Sequence, residues 1–444
     1  MHIRKVSMAA VLCGLVATST SACLSGGGND SSSGGSGGGQ GSAKTTISIM
    51  YAFSGDQNVA FKKELDDWGA KQSPALKFDY NQSDNFQNLI TTKIQAGDPP
   101  DIAIFPQPGI LKSLATKGKV AELSTQTDVE KVKSSIIPGF LDAATVNGKV
   151  YGAPMAMNIK SLYWYDKATW KQKGYEVPKT QAELEALLAK MKSDGVAPMC
   201  FGLGSGPATG WPGTDWIEDY VLQTGGKDVY KKWVDHEIKF DSPEVRKAFD
   251  IYNKLVLTDG YMYGGRQNAA SIQFATALNP MFAKPPKCLT GKQGNFITQK
   301  GFFPDTIFKD IDNVVGVFQT PSVNGEHPVL GAGDLAAALT KNDSNVKKVM
   351  EHMVADPKWG ESQAATGAWL SPNKSFDDSK YPNNTLREIA KIAKNATVLG
   401  FDGSDAMPGA VGSGSFWTGM VNYTTGKADL DATLKAIDDS WPAS

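Results

Sequence analysis

The sequence predicts an α/β protein in which two lobes share one chain. Runs with strand character alternate with runs of helical spacing from Thr45 onward. Beyond residue 42 no second Gly/Ser linker and no internal repeat divides the chain, so the lobes must be joined by several crossings. The 444 residues, 41% hydrophobic and 20% charged, suffice for two or three domains with a true core.

Residues 45–51 (TTISIMY) alternate and read as the first strand. Residues 56–70 space Val59, Phe61, Leu65 and Trp68 helically, which marks Trp68 as a core residue. A strand over 76–80 and a helix over 85–96 follow. Gly97-Asp98-Pro99-Pro100 is a turn entering a buried strand that ends at Phe105, and 109–116 is helical again. Strand, helix, strand, helix, strand implies a mostly parallel sheet. The middle is more helical, over 181–192, 215–224 and 242–257. The last of these opens on Asp241-Ser242-Pro243-Glu244, a capping residue before Pro in the first turn. Residues 314–318 and 335–339 return to strand, and 345–353, 385–393 and 430–437 to helix.

Several function classes are disfavoured. Lys+Arg number 45 against 46 Asp+Glu, a net −1 that lacks the basic excess of a nucleic-acid binder. Four histidines, His2, His236, His327 and His352, leave little material for a histidine-rich metal site, and no metal or cofactor is expected. Gly34-Gly35-Ser36-Gly37-Gly38 matches a nucleophile elbow only formally, having no strand before it or helix after it. Gly202-Leu203-Gly204-Ser205-Gly206-Pro207 has Pro where a dinucleotide fingerprint needs its third Gly. Acidic residues are plentiful, but none stands out as a hydrolytic pair, so no catalytic residue is assigned.

The N-terminus reads as an export signal over 1–22. Arg4 and Lys5 precede the apolar run 6–16, and Thr20-Ser21-Ala22 places small residues before Cys23. That ending resembles a bacterial lipobox, with Thr20 in place of the usual Leu, and marks Cys23 for lipidation; the alternative is a signal cleaved to release a free protein. Between Ser25 and Ser42, 15 of 18 residues are Gly or Ser. Such a coil spans roughly 25 Å and reads as a tether within 23–43. Without Arg4 and Lys5 the remaining chain carries 43 basic against 46 acidic groups, so acyl chains rather than basic residues would hold the membrane. In the body only Cys200 and Cys288 remain; in an exported domain they most simply pair.

Two Gly/Pro-rich loops carry aromatic residues beside polar ones: Thr209-Gly210-Trp211-Pro212-Gly213-Thr214-Asp215-Trp216 and Gly412-Ser413-Gly414-Ser415-Phe416-Trp417. A flat ring can stack on the apolar face of a sugar, and neighbouring Asp, Asn, Gln and Arg can take its hydroxyls. Most of the ten tryptophans should still be core; Trp211 and Trp417 are the two expected at a surface or cleft.

Gly97-Asp98-Pro99-Pro100-Asp101-Ile102, Asn147-Gly148-Lys149-Val150-Tyr151-Gly152-Ala153-Pro154, Leu162-Tyr163-Trp164-Tyr165-Asp166-Lys167 and Phe416-Trp417 resemble, in order, the extracellular solute-binding proteins of bacterial carbohydrate ABC importers. That broad group contains maltose-binding protein. Trp211 to Trp216 (WPGTDW), Pro285-Pro286-Lys287-Cys288, Gly294-Asn295-Phe296-Ile297-Thr298, Gly301-Phe302-Phe303-Pro304 and Met407-Pro408-Gly409-Ala410-Val411-Gly412 are similar to its α-glucoside-binding branch, where cysteines matching Cys200 and Cys288 look like a disulfide.

The resemblance implies a two-lobed periplasmic-binding-protein-like fold with a hinge and a sugar cleft between the lobes. The first lobe would be 44–155 plus 322–372, and the second 156–321 plus 373–444. It also implies a non-catalytic receptor on the outer face of the cell membrane, monomeric, serving the permease subunits of an ABC importer. Trp417, with Phe416 before it, matches a sugar-stacking aromatic. Phe105 and Gln107 end a first-lobe strand, where ligand loops emerge. Asp334 follows the turn Gly331-Ala332-Gly333. Asp215 and Trp216 open a helix beside the Trp211 loop, where Asp215 could equally be a helix cap. Met155 and Asn158 lie at the first crossing. Asp402 and Asp405 flank a turn, of which Asp405 is the ligand candidate. The ligand reading is an α-glucoside; the alternatives are an α-galactoside or other oligosaccharide, an exported glycosidase, or a wall adhesin.

Overall fold

The computed structural model describes residues 43–442; the signal, Cys23 and the tether lie outside the described residues. In the first sheet Lys77–Gln82, Thr46–Tyr51 and Ile102–Phe105 run parallel, as the alternating pattern predicts. Leu335–Ala338 and Ala153–Pro154 then extend it antiparallel. The second sheet, ordered Val315–Gln319, Leu162–Asp166, Cys288–Lys292, Ala197–Met199, has two antiparallel pairings and one parallel. Among the described strands of the first sheet, parallel pairing is confined to the first three in the chain, where helices make the connections. Gly55–Gly69 and Phe86–Gln95 are those helices.

Between the two sheets lies a third, small one. Asn158–Ile159 pairs antiparallel with Val329–Ala332, which pairs parallel with Leu399–Phe401. Asn158–Ile159 falls in the chain between a strand of the first sheet and one of the second. Val329–Ala332 falls between Val315–Gln319 and Leu335–Ala338, so the chain passes between sheets twice here. A bridge of Met157 to Leu370 and the Asn295 amide on the Ala368 carbonyl (2.8 Å) mark a third passage.

Burial explains the strands. Ile47, Ile49, Met50 and Tyr51 are fully buried, as is all of Ile102–Phe105. The stripe on Gly55–Gly69 is narrower than its spacing suggests: Phe61 and Leu65 are buried, Val59 is 67% exposed, and Trp68 is half-buried against His352 with ring centroids 4.4 Å apart. Trp68 is thus a rim residue. Cys200 and Cys288 are disulfide-bonded, with Cα atoms 5.3 Å apart. They tie the strand Cys288–Lys292 to the residue after Ala197–Met199, alongside the bond from Cys200 N to Thr290 O (2.7 Å).

The WPGTDW helix is longer than predicted, Trp211–Val234, with a break at Gly226, whose φ of 72° suits a glycine. It begins at Trp211 after Gly210, so Asp215 lies inside the helix and does not cap it. Pro in its first turn satisfies the usual preference there.

A candidate solute-binding site

Lys160 follows Asn158–Ile159, and its backbone N–H bonds the Leu330 carbonyl (2.9 Å) on the neighbouring strand. Its side chain leaves the sheet and meets Asp215 at 2.9 Å and Asp402 at 2.5 Å, all three buried. Burial alone would lower the pKa of this ammonium, but Asp215 and Asp402 outweigh it and hold the value well above the ordinary one. Asp402 in turn organises the turn that follows Leu399–Phe401. Its Oδ1 accepts from Asp405 N (2.9 Å) and Ser404 Oγ (2.9 Å). From the other side Glu218 accepts from Gly403 N (2.8 Å) and Ser404 N (3.1 Å).

Two tryptophans border this turn. Trp211 has the Lys160 ammonium 4.9 Å from its ring centroid, the edges of Phe274 and Phe296 at 4.9 and 5.7 Å, and Nε1 on Ser205 Oγ (3.0 Å). Trp417 points Nε1 at Ser404 Oγ, 3.4 Å away. Both rings are half-buried. Gly210 brings the two loops together. Its φ of 120° and the backbone of Trp417 lying where its Cβ would be exclude any other residue. A seven-residue π-helical stretch, Ala410–Phe416, leads into the helix at Trp417, a widening often associated with functional positions.

The first sheet contributes its strand ends. Phe105 stands opposite Leu335 in register, which puts Asp334 beside the exit of Ile102–Phe105. Gln107 sits just before the helix Pro108–Thr116. A Cβ on Gly109, in that helix's first turn, would lie 2.7 Å from Met407 O and 3.5 Å from Asp405 O, so this end of the first sheet meets the Asp402 turn directly. Asn158 pairs with Ala332, two residues before Asp334. The side chains of Gln107, Asn158, Asp334 and Asp405 are half-buried and make no hydrogen bond among the described residues. Burial pushes Asp334 up to about 6. Burial and the charge of Asp402 push Asp405 well above the usual carboxylate range, with Asp334 adding to the effect.

Four sequence candidates have no free surface. Phe105 is fully buried with its ring edge-on to Phe86 at 5.4 Å. Trp216 packs among Tyr163, Phe201 and Tyr252. Phe416 packs between Trp233 and Phe240. Met155 is fully buried, and its carbonyl accepts from Trp359 Nε1 (2.9 Å). Asp215 is occupied by Lys160 and supports the site from beneath. Sequence reasoning missed Lys160, Ser404 and Glu218. A lysine amid the apolar run from Ala153 to Tyr165 was the available signal, since a buried ammonium requires counter-charges.

What converges is two half-buried aromatic rings, two carboxylates and two amides whose side-chain hydrogen-bonding groups have no partner among the described residues. Such groups gain little until a ligand supplies donors and acceptors. Asp215, Glu218 and Asp402 bring carboxylate oxygens within 4.8 Å of one another, but Lys160 already supplies the positive charge there.

The family described as bacterial extracellular solute-binding protein matches residues 52–357. The alpha-glucosides-binding periplasmic protein AglE of Rhizobium meliloti is 37% identical over 407 residues, 89% of this chain and 87% of that protein. The osmoprotective compounds-binding protein GgtB of Synechocystis sp. is 35% identical over 398 residues, 89% of this chain and 92% of that one. Among solved structures, the bacterial solute receptor AcbH superposes with a TM-score of 0.73 at 20% identity, over 89% of this chain and 98% of its own, a likeness of fold. The two sheets with a small shared sheet between them, and the unpartnered polar groups collected where they meet, are how this chain is built as a member of the bacterial extracellular solute-binding protein family.

Proposed function

We propose that the protein captures α-glucosides, as di- or oligosaccharides, between its lobes and delivers them without turnover to the permease subunits of an ABC importer. The observation that carries this reading is the pairing of the half-buried Trp211 and Trp417 with the unpartnered carboxylates of Asp334 and Asp405. Sugar rings offer apolar C–H faces to aromatics and hydroxyl donors to carboxylates. AglE, whose name specifies α-glucosides, supports the choice of ligand.

The lobes in this proposal are 44–155 plus 322–372 and 156–321 plus 373–444. The bond from Gln181 N to Ser322 O (3.0 Å) favours moving the second passage onward, to Val329–Ala332. Sugar contacts made by both lobes would favour a closed arrangement through hinge motion. Lipidation of Cys23 would hold the receptor, as a monomer, to the outer face of the membrane through the Gly/Ser tether.

The test is calorimetric titration of residues 44–444 with maltose, isomaltose, trehalose, sucrose, palatinose, panose and raffinose, with product analysis of the same mixtures. Binding of glucosides without turnover is the expected result. Binding of raffinose alone would transfer the assignment to α-galactosides; turnover would overturn the receptor reading.

A further inference from the structure

Lys160 is the point where the passage between the sheets meets the candidate site. Its backbone is held in the small sheet by Leu330, and its ammonium reaches three separate parts of the site. It contacts the Trp211 ring directly. Its ammonium meets Asp402 Oδ2, and across that carboxylate Oδ1 accepts from Asp405 N and from Ser404 Oγ, the hydroxyl to which Trp417 Nε1 points. Asp215 ties it also to the first turns of Trp211–Val234. Its buried charge is therefore committed to internal partners.

We propose that Lys160 is a positioning residue for solute capture, fixing the Trp211 face and the Asp405 and Trp417 groups relative to the passage between the lobes. This rests on the sugar-receptor reading of the same site. The charged groups facing Lys160 are Asp215 and Glu218 from the long helix and Asp402 and Asp405 from the turn. Asp334 acts on Asp405 from the first sheet. Lys292 donates to the backbone carbonyls of Lys160 and Asp215 (3.2 Å each), its own charge paired with Asp219 at 3.1 Å. Losing Lys160 thus removes the cation that lowers the proton affinity of Asp405.

The experiment compares wild type with Lys160→Met and with the double variant Lys160→Met/Asp215→Asn, which removes one charge of each sign and keeps the Asp402 cap. Folding is followed by circular dichroism and thermal melting, sugar binding by calorimetry from pH 5 to 8. In addition, the indole N–H resonances of 15N-tryptophan-labelled protein are titrated without sugar and assigned with Trp211→Phe and Trp417→Phe. A folded variant is expected to lose at least tenfold in sugar affinity, on the scale of one charge-assisted contact misplaced, roughly 1.4 kcal/mol or more. The pH midpoints of binding and of the Trp211 and Trp417 resonances are expected to move upward. Both shifts distinguish positioning from loss of general stability. A folded double variant with wild-type affinity and unmoved midpoints would overturn the proposal. Absence of sugar binding in wild type would overturn the receptor reading instead, and the sugar-free resonance titration would still decide the role of Lys160.

Discussion

Two aspartate sites in this protein have opposite hydrogen-bonding states. Just before the strand Ile102–Phe105, Asp101 accepts from Lys44 Nζ (2.5 Å), Thr340 Oγ1 (2.6 Å) and both the N and Oγ of Ser48 (3.0 Å each). These donors overcome the effect of burial and hold its carboxyl below the usual range. At the meeting of the sheets, Asp334 and Asp405 accept nothing from the described residues, and burial drives them the other way. A carboxylate saturated by its own chain fixes architecture. One left without donors costs stability unless something from outside supplies them.

The largest expected effect separates the two directly. Asp101→Ala strips the bonds that join Lys44, Ser48 and Thr340, and should cost about 3 kcal/mol of folding stability while sugar affinity stays unchanged. Denaturant unfolding and calorimetry would check both halves. A loss of affinity without a loss of stability would break the comparison.

Asp334→Ala should behave in reverse. Sugar affinity is expected to fall by about 1.5–3 kcal/mol, the scale of a hydrogen bond to a charged group, or roughly 10- to 150-fold. Unfolding free energy at neutral pH should hold or rise, because a half-buried carboxylate without a donor is removed. A destabilised variant with intact binding would place Asp334 with Asp101 as architecture.

Trp417→Ala sharpens the same contrast from the apolar side. A loss of about 1–3 kcal/mol in sugar binding is expected, from aromatic stacking and apolar burial, with the fold retained. If its effect exceeds that of Asp334→Ala, packing rather than hydrogen bonding dominates capture; unchanged affinity in the folded variant would remove Trp417 from the site.

Ile102–Phe105 was legible because a buried strand after a Gly/Pro turn leaves a dense apolar run, and Thr46–Tyr51 and Lys77–Gln82 were legible through their alternation. The passages were not, since Ala153–Pro154 and Asn158–Ile159 have two residues each and carry no periodicity. The aromatic loops were visible, but which ring is core depends on helix phase. Trp216 follows Trp211 by five residues, about 140° around a helix, and turns into the core. Phe416 and Trp417 part in the same way, by about 100°. Lys160 could be noticed in the sequence but not paired there, because Asp215 and Asp402 lie 55 and 242 residues away.

The smallest expected effect is the dependence of this contrast on pH. Asp101 has a folded pKa below its unfolded value, about 3.9, so its contribution is present above that value and is lost as pH falls through the folded one. Asp334, pushed up to about 6, binds its proton more tightly folded than unfolded. Its penalty is therefore present above about pH 6 and relieved as pH falls from there toward about 4. The melting temperature of wild type relative to Asp334→Ala should rise between pH 7 and 5, while the difference from Asp101→Ala shrinks only at lower pH. Sugar affinity should run against stability over the first window, because a protonated Asp334 is a poorer acceptor for a hydroxyl. Glu218 and Asp405 are also raised and contribute in the same direction, so the difference between wild type and Asp334→Ala is the quantity to follow. Melting curves and titrations at matched pH would measure it. If stability and affinity fall together from pH 7 to 5, Asp334 is not the carboxylate that trades protons for ligand.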